Sequence, residues 1–136
     1  MSITHHILSP DSILINLSMY QTKIDDPLAD DPKLIIEQAI EAENIMVNSG
    51  KMLADAKYWL REAMHSETIR TLKELVKSEK IITSTAVNEI IKSLCKEQNY
   101  IVDWCERVNR SATHRIELCR TIISKHKAEM QNKIEG

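Results

Sequence analysis

The chain has 136 residues, with 18 Lys+Arg against 20 Asp+Glu, 43% hydrophobic and 28% charged residues, two glycines, three prolines and no phenylalanine. That length suits one domain, and the composition is too apolar for wholesale disorder. With one interior glycine, Gly50, neither a turn-rich β-sandwich nor a glycine-loop nucleotide-binding fold can be built, and a net charge of -2 gives no overall footprint for nucleic acid or membrane.

All three prolines fall within residues 10–32, which sets that segment apart as an N-terminal arm, residues 1–31. Ser9-Pro10 reads as an N-cap followed by proline at the first helical position. Residues 10–24 carry two patterns. Ile13, Leu17, Tyr20 and Ile24 fit a helical stripe, while Ile13, Ile15, Leu17 and Met19 alternate as a strand would. A short helix is the preferred reading, ended by Asp26 before Pro27.

Asp31-Pro32 opens the second unit, residues 32–136. From Lys33 the seam Ile35, Ala39, Ala42, Met46, Ser49, Leu53, Ala56, Leu60 and Ala63 recurs at spacings of four and three, as in a coiled coil. The heptad fails after Ala63, where Glu67 and Arg70 occupy the next seam positions. His65-Ser66-Glu67-Thr68 is therefore expected to be a stutter or an interruption. Residues 80–84 read as a turn, with Thr83, Ser84 and Thr85 all able to cap a helix. A last helix is expected from about 85 to 132, on a seam of Val87, Ile91, Leu94, Gln98, Ile101, Cys105, Val108, Ala112, Cys119 and Ile122. Arg115 interrupts it.

Residues 33–79 and 85–132 are nearly equal in length, roughly 70 Å each at 1.5 Å per residue. The expected fold is all-α: a long antiparallel coiled-coil hairpin with a short N-terminal helix. Folding about residue 82 sets Ala42 against Ile122, Leu53 against Ala112, Ala56 against Val108 and Ala63 against Ile101, small against large. It also brings Trp59, Trp104, Tyr58 and Tyr100 to one level as a structural aromatic layer. Ile36, Ile40, Val47, Ile90, Val102, Ile116 and Ile123 lie off that seam. Either the N-terminal helix or a second copy must cover them, so a homo-oligomer, with a dimer favoured, is expected to complete a bundle.

Cys95, Cys105 and Cys119 lie on one predicted helix. Residues fourteen apart there are about 21 Å apart, too far for a disulfide. Reduced, buried thiols and a cytoplasmic location are expected, with no secretory leader read at the N-terminus. No stretch reaches the ~18 apolar residues of a membrane span.

Chemistry-bearing motifs are sparse. Glu62-Ala63-Met64-His65 is a single E-x-x-H, whereas a di-iron bundle needs two of them plus further glutamates. His114, Cys119 and His126 are spaced five and seven apart, wrong for metal ligands or a Cys–His pair on one helix. No cofactor, metal or enzymatic activity is expected. The C-terminal helix concentrates Arg107, Arg110, Arg115, Arg120, Lys125 and Lys127, a strip able to meet a phosphate backbone. Acidic Glu37, Glu41 and Glu43 on the facing helix offer it partners instead. Across the whole chain, residues 1–65 carry five Lys/Arg against ten Asp/Glu, and residues 66–136 carry thirteen against ten. Two functions follow as expectations: a non-enzymatic scaffold that self-associates and binds a protein partner, or a nucleic-acid accessory protein using the basic helix. In size, hairpin architecture and lack of a catalytic signature the chain is similar to small accessory proteins of bacteria, phages and mobile elements.

Overall fold

A computed structural model describes residues 6–135, and the first five residues of the arm and Gly136 lie outside it. Among the described residues the chain forms four helices and no strand: α1 (Pro10–Asp25), α2 (Pro32–Ser78), α3 (Ser84–Leu94) and α4 (Lys96–Glu135).

The ambiguity in the arm resolves by period. Ile13 and Leu17, four apart, are wholly buried, while Ile15 and Met19 are exposed. A strand would have put all four on one face. The Ser9 side chain accepts the Ser12 amide at 3.2 Å, with Pro10 inside the first turn. Asp26 turns extended ahead of Pro27, as a pre-proline residue must. Asp31 caps α2 in the same way, its carboxylate taking the Lys33 amide at 3.1 Å.

Of the two readings of residues 65–68, a stutter or an interruption, the continuous one holds: α2 is unbroken there. The Thr68 hydroxyl does not cap a new turn there; it donates back to the Met64 carbonyl at 2.7 Å, inside the helix. The interruption lies instead on the other arm, at Cys95, where the expected single helix divides into α3 and α4. The Cys95 amide is shared between the Ile91 and Lys92 carbonyls at 3.2 Å each, and its φ of -107° and ψ of 24° leave the helical region. Glu67, ion-paired to Arg70 at 2.6 Å, stands close enough to Cys95 to act on its thiol.

α2 and α4 run antiparallel and make the main contact of the fold. The Asn109 amide crosses between them, donating to the Met46 carbonyl at 2.8 Å and to the Ser49 hydroxyl at 3.1 Å. The expected register puts Asp55 opposite Asn109, whereas Asn109 bonds to Ser49 and Met46, six and nine residues earlier, a difference of roughly two helical turns. Ser49 is fully buried, and satisfying it across the interface gives one register an advantage that apolar seam residues cannot give. α1 lies in the groove between the two long helices, parallel to α4. Its start meets Asp55 and Trp59, and its end meets Arg115. Ile13 and Leu17 enter one cluster with Ile45, Met52, Ala56, Val102, Cys105, Val108 and Ala112.

The coverage is partial. α1 has 16 residues, about 24 Å, against 47 residues and about 70 Å for α2. Of the residues expected off the seam, Val102 and Ile116 are buried and Ile123 is half-buried, while Ile36, Ile40, Val47 and Ile90 stay exposed. Among the described residues the basal half of the hairpin is a three-helix bundle, and beyond residue 62 of α2 it is two helices wide.

Two backbone positions can be improved. Glu79 ends α2 at φ 55°, a left-handed conformation that a side chain resists. Glu79→Gly is expected to raise stability by about 1 kcal/mol in urea denaturation. A Cβ on Gly50 would meet Asn109 Nδ2 at 3.7 Å, an ordinary contact. Gly50 is therefore not required by close helix approach, and Gly50→Ala should stabilise by ~0.5–1 kcal/mol in the same assay.

Candidate functional site

The six basic residues of the expected strip do not act together. Arg115 is 8% exposed and turned inward. Its Nη1 donates to the Ile24 carbonyl at 3.0 Å and the Asp26 carbonyl at 2.7 Å, so it caps the C-terminus of α1. A guanidinium buried this far has no reach to a phosphate, which removes Arg115 from any nucleic-acid face. The seam position that reads as an interruption is a clamp between α4 and the arm.

The other five are exposed. Arg107, Arg110 and Lys125 fall on one edge of α4, at steps of three and fifteen residues, spanning about 27 Å. Arg120 and Lys127 are seven apart on another edge. Arg120 faces Glu43 at 4.0 Å, an exposed pair worth little in stability. Glu41 pairs at 3.8 Å with Lys23 of α1 instead of the basic helix. Asn109, beside this strip in sequence, is committed to α2 as described above.

The aromatic residues form two pairs, each within its own arm. Tyr58 and Trp59 meet edge to face at 5.1 Å, and Tyr100 and Trp104 are tilted at 6.1 Å. Their polar ends point to the arm. Trp59 Nε1 donates to the Leu8 carbonyl at 2.7 Å, and Trp104 Nε1 to Gln21 Oε1 at 3.1 Å. The Leu8 amide in turn donates to Asp55 at 3.1 Å. Trp59, Trp104 and Arg115 thus hold α1 at its start, middle and end. Sequence periodicity locates these residues on the hairpin, but the partner lies 51 to 91 residues away and leaves no local trace.

At the start of α1 a cleft of about 360 Å³ opens between Asp11, Trp59, Glu62, Ala63, Glu97 and Ile101. Its wall carries carboxylates but no histidine or cysteine. His65 is exposed on α2, and among the described residues no group of three or more His, Cys, Asp or Glu is placed to hold a metal ion. His114 is exposed, and His126 lies against the arm-to-α2 connection with Nε2 2.6 Å from the Asp30 carbonyl.

All three cysteines are free and buried. Burial pushes the Cys105 thiol up to about 11, with Asp55 and Glu106 adding to the shift. Cys95 is raised by burial and then by Glu67; Cys119 is raised by burial against the opposing effect of Arg115. A neutral, enclosed thiol is a poor nucleophile.

The remaining surface of note is apolar. Past the end of the arm, Ile69, Leu72 and Val76 on α2 and Ile90 and Leu94 on α3 are exposed. A second groove of about 450 Å³ runs there between Thr71, Leu75, Ile82, Ile90 and Leu94. Among the described residues no helix is long and apolar enough to cross a membrane. Compared with known protein families, with curated proteins and with solved structures, the chain matches none.

Two measurements check these assignments. A thiol reagent at pH 8 should label none of the three cysteines in the native protein and all three after denaturation. Since the folded Cys105 thiol ionises near 11 and the unfolded one near 9.0, the unfolded chain loses its proton first. Stability should therefore fall between those pH values, and the fall should be smaller in Cys105→Ala. Separately, Arg115→Met keeps the aliphatic stem and loses the cap, with an expected cost of about 1.5–3 kcal/mol by denaturant melt.

Proposed function

We propose that this chain is a non-enzymatic helical interaction protein that self-associates and presents an extended surface to a protein partner. The observation that carries the reading is a cluster of exposed apolar side chains: Ile69, Leu72, Val76, Ile90 and Leu94 are bare at one end of the described hairpin, and clustered exposed apolar residues mark interaction surfaces. A folded monomer of 15.6 kDa exposes about 7,300 Å² by the usual scaling, whereas this chain exposes 9713 Å². That excess is larger than the ~800 Å² per partner of a standard interface. Enclosed thiols and dispersed histidines support a non-catalytic role.

Nucleic-acid binding through α4 is the second reading, supported by Arg107, Arg110 and Lys125 on one edge. It has lost Arg115 to the fold, and no aromatic ring interleaves those three residues for base stacking. The two readings part in solution. Light scattering on eluting protein should give a mass above 15.6 kDa, and titration with DNA and RNA at low and high salt should show no binding. A monomer that binds nucleic acid with steep salt dependence would replace the first reading by the second.

A further inference from the structure

We infer that a second copy of this chain docks along the outer face of α2, antiparallel, with the two-fold axis near the level of residue 56. The inference rests on the self-association proposed above and specifies its surface and direction. At 100° per residue, Ile36, Ile40, Val47, Ile69, Leu72 and Val76 share the side of α2 turned away from both α1 and α4. Each is between 42% and 79% exposed. They form two groups, one near each end of a 47-residue helix.

An antiparallel copy brings the groups onto each other. Ile36 then faces Val76 of the other copy, Ile40 faces its Leu72, and Ala54 faces its Tyr58. All three pairings follow from a single axis position. Charge selects the direction. On the flank of this stripe, exposed Glu37 comes to the level of Lys73 of the other copy, and exposed Glu62 to that of Lys51. None of these four takes part in an ion pair within the chain among the described residues. A parallel copy puts Glu37 and Lys51 level with their own symmetry mates on opposite flanks, so it gains neither of these ion pairs. The interface is isologous, so it closes as a dimer and propagates no further. Lys51, Arg61 and His65 keep its middle polar, which suits two flanking apolar contacts better than one continuous seam.

The test uses the full chain with the variants Ile36→Cys and Val76→Cys, the native thiols being enclosed. The two variants, refolded together and oxidised, should form a disulfide-linked dimer, and each alone should not. Light scattering should give twice the chain mass for the wild type, a monomer for Ile40→Asp with unchanged helical circular dichroism, and a dimer for Ile90→Asp. Cross-linking of each variant with itself would overturn the antiparallel direction. A dimer insensitive to Ile40→Asp but broken by Ile90→Asp would overturn this surface and leave self-association standing. A wild-type monomer would overturn both.

Discussion

A third helix of about 24 Å laid on a hairpin of about 70 Å divides the molecule. Where α1 lies, three helices enclose a core of Ile13, Leu17, Met52, Ala56, Cys105 and Val108, with side chains wholly or almost wholly withdrawn from water. Where it does not, the α2–α3 pair buries Ile91 and Cys95 between its helices but leaves Ile69, Leu72 and Val76 exposed. The apolar surface left on α2, Ile36, Ile40 and Val47 toward one end and Ile69, Leu72 and Val76 toward the other, faces away from α1 and α4, and the interaction proposed for it follows from that.

The arm is held by hydrogen bonds as much as by packing. Two indole N–H groups and one guanidinium reach it from the hairpin: Trp59 donates to the Leu8 carbonyl ahead of the helix, Trp104 to the Gln21 side chain, and Arg115 to carbonyls left open at the helix C-terminus. Burying Ile13 and Leu17 supplies about 1.5–3 kcal/mol each without direction; the polar contacts fix where along the groove α1 sits. Asn109 and Ser49 do the same for the two long helices. A core in which Ile, Leu and Met alternate with Ala and Cys packs closely but discriminates weakly among registers, so buried polar pairs carry that task.

Local signals were legible in the sequence and long-range ones were not. Ser9-Pro10 and Asp31-Pro32 marked both helix starts, because capping involves residues two or three apart. The hairpin was readable from the spacing of Ala42, Ala56, Val108 and Ala112. Its register was not, since it depends on one amide, Asn109, finding a carbonyl 63 residues away. The heptad defect at Glu67 was visible, but the break at Cys95 was not, since Cys95 carries no helix-breaking signal. Arg115 was visible as an exception to the pattern. An exception of that kind reads as surface charge until the carbonyls it caps are known. Of the candidate site, the bare residues Ile36, Ile40, Val47 and Ile90 could be named from periodicity, while the burial of Val102 and Ile116 required the folded neighbours.

Hydrogen–deuterium exchange across a dilution series tests most directly whether the arm finishes one half of the molecule and a partner finishes the other. Amides of α1 and of the segments 45–56 and 102–112 should be protected at every concentration. Those of residues 36–44 and 62–78 of α2 should exchange faster as the protein is diluted toward monomer. Protection that is uniform along α2 and independent of concentration would contradict this division.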